Sequence, residues 1–365
     1  MKDDIFYMNR AIELAQNGIG KVSPNPLVGA VIVKNDAIIG EGWHEKFGEA
    51  HAEVNAIRNA KIFDFTDCTI FVNLEPCAHK GKTAACVDAI IMGKFKKVVI
   101  GMQDPNLLVS GKGIAKLQKA GIEVEIGVLE AECQELNKSF IKYITTLTPY
   151  VMIKIAQTLD GFIATNRGSS KWITSEESRK LVHQFRAEYD AILVGSGTVQ
   201  ADNPSLTVRD VEGRQPFRII LDNKLTLPLT IKLFNDEFKA NTIVVCEKSL
   251  VKTQKAENLR LGLIKVIGVK LNSEGNLDLK ETLEILAKDY NIASIMVEGG
   301  SKIYSSFLKE QLFDEIKIFV APKLFGNGMN SFSELNIASV KDAKELKFSK
   351  TETIGEDILI TAIKI

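Results

Sequence analysis

The chain has 365 residues, 45% of them hydrophobic and 25% charged, the make-up of a globular protein too long for one ordinary core, so two domains are expected. Its 46 Lys and Arg balance 46 Asp and Glu, which leaves no overall basic field to attract nucleic acid. No apolar stretch approaches the roughly eighteen residues of a membrane span, the acidic start Met1-Lys2-Asp3-Asp4 is not that of a signal peptide, and the odd count of five Cys points to a reducing cytoplasm rather than a disulfide framework.

Asp4 to Asn17 places Ile5, Met8, Ile12 and Ala15 near helical spacing, and Gly18 and Gly20 stop it. Gly29 to Val33 and Ala37 to Gly42 read as strands joined by the turn residues Asn35-Asp36. A helix from about Ala50, a strand at Thr69 to Asn73, a helix after Cys86 and a strand at Val98 to Met102 come next. Gly111 to Ala120 then reads as a helix and Val124 to Val128 as a strand. This alternation is the α/β pattern. One polar helix, Glu130 to Ile144, closes the half. Leu147-Thr148-Pro149 marks the domain boundary, dividing residues 1–147 from 148–365.

The alternation restarts with strands at Tyr150 to Ala156, Ala191 to Val194, Phe217 to Leu221, Thr242 to Cys246, Ile264 to Val269, Ser294 to Val297, Glu315 to Val320 and Ile358 to Ile363. Many are near-continuous apolar runs, as in strands buried on both faces of a mainly parallel sheet. Lys248 to Arg260 reads as a polar, helix-like solvated stretch. Cys68, Cys133 and Cys246 read as buried small residues.

His51-Ala52-Glu53 and Pro76-Cys77, with Cys86 beyond, carry the chemistry of the first half. One imidazole and two thiolates are a soft N/S set that suits zinc, and three protein ligands leave a fourth position open, as in catalytic sites. Glu53 is not needed as a ligand and is free to move protons. Together they describe zinc-assisted hydrolytic deamination. Residues two apart do not share a helix face, so for His51 and Glu53 to approach one water, His51 must sit at the helix entrance. Pro76-Cys77 comes after a strand, so Cys77 is expected to open a turn or helix whose N–H groups favour its thiolate.

These residues resemble the cytidine-deaminase superfamily, and Glu75 through Cys86 looks like the E-P-C-x-H-x-G-x-T-x-x-C signature of the riboflavin-biosynthesis deaminases. Ser23-Pro24-Asn25-Pro26-Leu27-Val28-Gly29 and Met102-Gln103-Asp104-Pro105-Asn106 match the same family. Ala84, Ala85 and Leu107 stand where the family usually has proline. By this resemblance Asn25, His44, His79 and Lys82 bind substrate, with Asp104 and Asn106 as weaker candidates.

The second half resembles the reductase domain of the same bifunctional family through Lys154 to Gly161, Ser170 to Thr174, Gly195 to Val199, Ala201 to Arg209 and Val297 to Gly300. No Rossmann G-x-G-x-x-G opens it; instead Gly299-Gly300-Ser301 lies between a strand and the helix Lys302 to Leu308, where backbone N–H groups can approach a phosphate. The resemblance implies NADPH held by Ala156, Trp172, Thr198, Asp202, Gly300, Ser301, Lys302, Ile303, Tyr304, Ser305 and Ser306. It implies substrate contacts from Ser170, Arg186, Leu206, Arg209 and Glu298, the two arginines being able to grip a phosphate bidentately. The implied architecture is an α/β chain with an N-terminal cytidine-deaminase-like three-layer domain and a C-terminal dihydrofolate-reductase-like domain. The implied substrate is a phosphorylated pyrimidine, and the implied assembly a homo-oligomer. Two rival readings stand beside it: a nucleic-acid or nucleoside deaminase with an accessory domain, and a non-catalytic zinc-stabilised binding protein. The neutral charge balance opposes the first, and Glu53 opposes the second.

Overall fold

The computed structural model describes residues 3–78, 85–107, 109–333 and 335–365; the expectations for His79, Lys82 and Ala84 lie outside the described residues. The chain divides into two compact units, Met1–Leu147 and Thr148–Ile365. Among the described residues no helix is long and apolar enough to cross a membrane.

In the first unit α1 (Asp4–Gln16) starts on Asp3, whose carboxylate accepts the Phe6 N–H, the usual way to satisfy a first-turn donor. Its buried side is Tyr7, Met8, Ala11, Leu14 and Ala15; Ile5, expected to face inward, is exposed. β1 (Gly29–Lys34) and β2 (Ala37–Trp43) form a hairpin whose turn residues Asn35 and Asp36 have φ of 51° and 60°, the left-handed pair that a tight hairpin needs. Next come α2 (Ala52–Asn59), β3 (Thr69–Leu74), α3 (Cys86–Met92), β4 (Lys97–Met102), α4 (Lys112–Lys119), β5 (Glu123–Ile126), α5 (Glu130–Leu136) and α6 (Lys138–Thr146). The sheet order is β2-β1-β3-β4-β5, parallel from β3 to β5 and antiparallel around β1. α1 and α5 contact each other and the sheet, while α2, α3 and α4 form a second connected set, which gives three layers.

Two features of this unit place its functional side chains. Gly40 and Gly42 let α2 lie directly on β2, because a Cβ at Gly42 would fall on the Ala56 backbone nitrogen and one at Gly40 on the Ala56 oxygen. The single helix expected over Glu130–Ile144 is two helices, broken at Asn137. The reason is the Asn137 side chain, which is buried, accepts from Leu27 N at 2.8 Å and donates to Leu27 O at 3.0 Å. Asn73 donates to the same carbonyl at 2.9 Å and accepts from Gly29 N at 2.8 Å. The segment carrying Asn25 is therefore fixed by two buried amides that do for it what a strand partner would do.

The second unit contains β6 (Tyr150–Thr158), β7 (Phe162–Thr165), α7 (Glu176–Glu188), β8 (Ala191–Gly195), α8 (Ser196–Asp202), β9 (Phe217–Leu221), α9 (Lys232–Asn235), β10 (Thr242–Glu247), α10 (Gln254–Leu261) and β11 (Lys265–Val269). α11 (Leu279–Tyr290), β12 (Ser294–Gly299), α12 (Ser301–Lys309), β13 (Glu315–Ala321), β14 (Gly328–Asn330), β15 (Leu346–Ile354) and β16 (Asp357–Lys364) complete it. The main sheet runs β11-β10-β9-β8-β12-β6-β13-β16-β15. It is parallel as far as β13, and β16 and β15 are antiparallel. The expected strands form its buried body. Three others were not expected: β15, which is mostly exposed at the sheet edge, and the short pair β7 and β14. The polar stretch after Lys248 is a 3-10 turn followed by α10, and it is not wholly solvated, since Ala256 and Leu259 are buried.

Replacing Gly42 with alanine should push α2 off β2. Overpacking of this kind costs about 1–3 kcal/mol, so thermal unfolding should show a lowered Tm, and bound zinc measured by atomic absorption should fall, because His51 leads into α2.

Candidate active sites

The first site is built where β3 ends. The Glu75 carboxylate, buried, accepts N–H groups from Asp104 at 3.1 Å, Gly111 at 3.0 Å, Gly113 at 2.9 Å and Ile114 at 3.3 Å. Its own N–H donates to Met102 O at 2.9 Å. Gly113 has no side chain because a Cβ there would meet Pro76 O. The chain emerging from β3 is thus locked to the start of α4, and Cys77 is held two residues on.

Cys77 was expected to open a turn or a helix; it is not itself helical, and residues 79–84 beyond it lie outside the described residues, whereas Cys86 is the first residue of α3. The N–H that supports the Cys77 sulfur is that of Cys86, at 3.3 Å, and Val87 N donates to Cys77 O at 3.2 Å. His51 immediately precedes α2 with extended backbone, φ −79° and ψ 166°. This is the helix-entrance position that joint action with Glu53 demands. Its Nδ1 lies 3.6 Å from Cys77 Sγ and 3.3 Å from Cys86 Sγ, and the three ligand atoms all lie within 4.8 Å of one another. The Cys86 thiol and then His51 pull the Cys77 thiol well below its ordinary value, and the same shared proton pushes Cys86 up. Three soft donors sharing protons at this spacing fit a zinc ion, which displaces such protons on binding.

Glu53 lies in the first turn of α2. It is only 3% exposed, and its Oε2 is buried without a hydrogen-bond partner. Burial raises its affinity for a proton. A carboxylate oxygen left unpaired beside three ligand atoms is costly for folding and is what a proton-transfer group requires.

Asn25 and His44 are brought to the same place. His44 Nδ1 donates to Ala50 O at 3.1 Å, and its Nε2 accepts from Asn25 Nδ2 at 3.1 Å, the tautomer being assigned from these partners. The ring stands edge-on to that of His51 with centroids 5.3 Å apart. Burial lowers its pKa, so it remains neutral. Asp104 Oδ1 accepts from Asn106 N at 2.8 Å, a local turn bond.

The second set of residues gathers at the carboxyl edge of the parallel strands β8, β12, β6 and β13, where ligands of open α/β sheets bind. Gly300 comes directly after β12 with φ 75°, and Thr198 Oγ1 lies where a Cβ would crowd it, at 3.1 Å. Ser301 begins α12; it is 6% exposed, and its Oγ has no partner. A glycine cradle beside an orphaned buried hydroxyl at the start of a helix fits a phosphate of a dinucleotide. Of the other expected cofactor residues, Ala156 lies half-buried on β6, Lys302 and Asp202 are exposed, and Ile303 packs near Gly195. Trp172 is 64% exposed; Lys323 Nζ donates to the carbonyls of Trp172 at 3.0 Å and Ile173 at 2.6 Å, and Arg179 stacks 4.6 Å from the indole centre. The expected run to Ser306 is narrower in its side chains. Tyr304 donates to Lys154 O at 2.8 Å from within the core. Ser305 bonds Ser301 O and Ser333 N, both at 2.9 Å. Ser306 bonds Lys302 O at 3.0 Å.

Among the expected substrate residues, Glu298 sits at a register shift between Val297 and Gly299, and such an irregularity re-aims a side chain. Arg186 grips it bidentately, Nε to Oε1 at 2.6 Å and Nη2 to Oε2 at 2.7 Å, and Lys154 Nζ lies 3.8 Å from Oε2. Burial alone would raise the Glu298 carboxyl, but the Arg186 and Lys154 charges outweigh it and hold it at about 2. Arg186, read as able to grip a phosphate, has its fork closed on Glu298. Arg209 is exposed, Ser170 is half-buried, and the Leu206 side chain is in the core. Lys154 is the member of this cluster that motif matching does not single out, although a lysine inside the apolar run of β6 is a visible signal.

Residues 1–102 match the family model of the cytidine and deoxycytidylate deaminase zinc-binding region, and residues 149–360 match that of the RibD C-terminal domain. The riboflavin biosynthesis protein RibD of Aquifex aeolicus (strain VF5) is 48% identical over 358 residues, covering 98% of this chain and 97% of that protein. That of Escherichia coli (strain K12) is 38% identical, covering 98% of each. The solved structure of Acinetobacter baumannii RibD, form 1, superposes with a TM-score of 0.90 at 37% identity, covering 99% of each chain. A Thermotoga maritima structure described as a diaminohydroxyphosphoribosylaminopyrimidine deaminase/5-amino-6-(5-phosphoribosylamino)uracil reductase gives 0.88 at 41% identity, covering 99% of this chain and 98% of that one. Fold and sites together define a two-domain enzyme, a zinc-binding deaminase region followed by a reductase. The chain belongs to the RibD family of riboflavin biosynthesis proteins.

Cys86→Ala should abolish stoichiometric zinc binding in an atomic-absorption measurement, since structural and catalytic sites alike need at least three firm ligands. Glu53→Gln should leave zinc content unchanged, because Glu53 is not among the ligands.

Proposed function

We infer that this chain carries out two successive reactions on one phosphorylated pyrimidine. The first is hydrolytic deamination of 2,5-diamino-6-ribosylamino-4(3H)-pyrimidinone 5′-phosphate by residues 1–147. The second is NADPH-dependent reduction of the ribosyl side chain of the resulting aminouracil to ribityl by residues 148–365. The observation that carries the reading is the convergence of His51, Cys77 and Cys86 beside the unpartnered Oε2 of Glu53.

In the first reaction water adds to the amine-bearing ring carbon and ammonia leaves. Zinc, when bound by His51, Cys77 and Cys86, supplies the Lewis acidity that makes water reactive at neutral pH. Glu53 Oε2 takes one proton from the attacking water and gives it to a ring nitrogen, then takes the second from the new hydroxyl and gives it to the departing amine. Asn25 and His44, joined at 3.1 Å, orient the base through a neutral donor–acceptor pair.

In the second reaction NADPH supplies the hydride. Gly300 and Ser301 receive its phosphate, and Trp172, backed by Arg179 and Lys323, offers a flat exposed face. Glu298, kept ionised by Arg186 and Lys154, accepts hydrogen bonds from the substrate. Arg209 holds the phosphate. The same reading makes the protein a cytoplasmic homo-oligomer that meets small molecules rather than nucleic acid. None of its five cysteines is joined in a disulfide, which suits a reducing compartment, and the homo-oligomer rests on the family resemblance.

Mass spectrometry of the diaminopyrimidine ribotide incubated with zinc-loaded protein tests both halves. Exchange of the amine for oxygen should occur without NADPH, and the ribityl product should appear only with it. Glu53→Gln should slow deamination about 10²–10⁴-fold, the usual share of a general acid–base group, and leave reduction of supplied aminouracil ribotide unchanged. Intact deamination in that variant would remove Glu53 from the mechanism.

A further inference from the structure

Three successive residues of the second unit have backbone polar groups held by side chains instead of by a sheet or helix. Arg186 Nη1 donates to Thr207 O at 3.1 Å. The Gln215 side-chain amide accepts from Val208 N and donates to Val208 O, both at 2.9 Å. His183 Nδ1 accepts from Arg209 N at 3.3 Å. The preceding residue, Leu206, is a non-glycine residue at φ 53°, a conformation that persists only where its surroundings determine it. His183 and Arg186 are three apart on α7 and so share one face. His183 is 6% exposed; accepting at Nδ1 leaves its proton on Nε2, which faces Asp210 Oδ2 at 3.3 Å.

What this scaffold presents is Arg209, whose side chain is exposed and bonds Thr207 Oγ1 at 3.2 Å through Nη1. Arg186 reaches the same Thr207, but its fork is closed on Glu298. Of the two arginines here, Arg209 alone has the planar edge that a phosphate recognises bidentately. A long, flexible side chain achieves that only if its backbone is held still.

We propose that His183 and Gln215 are positioning residues that hold Thr207–Arg209 so that Arg209 meets the 5′-phosphate of the reductase substrate, and that they thereby set the preference for phosphorylated over dephosphorylated substrate. The inference rests on the reductase reading above, with Arg209 as the phosphate ligand.

Steady-state reduction by the full chain is measured with 5-amino-6-(5-phosphoribosylamino)uracil and with its dephosphorylated counterpart. Gln215→Ala and His183→Ala should each raise KM for the phosphorylated substrate about threefold to tenfold, the worth of one or two hydrogen bonds. kcat, the KM for NADPH and all constants for the dephosphorylated substrate should stay unchanged. His183→Asn, which keeps an acceptor at the same place, should recover part of the loss. Gln215→Glu, which keeps the shape and the acceptor for Val208 N but loses the donor, should show the same selective loss even if truncation unfolds the domain. Equal losses on both substrates, or a raised KM for NADPH, would mean a merely structural role and overturn the proposal. If the unaltered chain does not discriminate between the two substrates, the phosphate reading of Arg209 falls and the proposal with it. Failure of the variants alone leaves that reading standing.

Discussion

The first site depends on a buried carboxylate that collects backbone N–H groups where a strand gives way to a loop. It is that of Glu75, gathering four such donors from the segment beyond β4. Two of them, those of Gly113 and Ile114, would otherwise be buried donors without a partner, at about 1–3 kcal/mol apiece. Because Glu75 also stands two residues before Cys77, the bonds that close the loop fix the metal ligand. The second unit repeats the device. Asp190 accepts from Ala293 N at 2.8 Å and Ser294 N at 3.0 Å, tying the entry of β12 to the end of α7. Half-buried Asp160 plays a similar part nearer the surface, accepting from Phe325 N at 3.0 Å and Gly326 N at 2.7 Å and holding the chain beyond β13 near the turn after β6. One charged side chain satisfying several donors is a compact way to give an irregular segment a single conformation.

Bonds of this kind join residues far apart in the chain, and that limits how much of the fold and the sites is legible in the sequence. Strands such as β9 and β10 were visible because burial on both faces writes a continuous apolar run. The metal set was visible because soft ligands with one unattached carboxylate form a chemical combination that few other roles require. β15 was not, because an edge strand exposed along most of its length carries no hydrophobic pattern to read. The break at Asn137 was hidden for a different reason. Its cause is Leu27, 110 residues away, and no local propensity encodes a bond over that distance. The same holds for Arg186. The sequence offered an arginine suited to phosphate, but only the fold shows that Glu298, 112 residues later, has taken its fork.

The two halves treat a buried carboxylate in opposite ways, and the contrast separates their chemistries. Glu53 has an oxygen with no partner and a proton affinity raised by burial. Its neighbours are ligand atoms that attract a metal, so it is poised to accept a proton and give it back. Glu298, whose side chain is 6% exposed, lies against one guanidinium and one ammonium, which hold its carboxyl at about 2. A carboxylate so firmly ionised is a poor proton carrier and a good fixed acceptor. Environments that push two like groups apart are how one chain runs two kinds of chemistry at one pH. In the deaminating half the protein must move protons, because hydrolysis requires them at the water, the ring and the leaving amine. In the reducing half the cofactor carries the electrons, and the protein has chiefly to keep a flexible sugar phosphate still. A fixed ion pair, a clamped loop and an exposed arginine are suited to holding, as a carboxylate with one orphaned oxygen is suited to exchange.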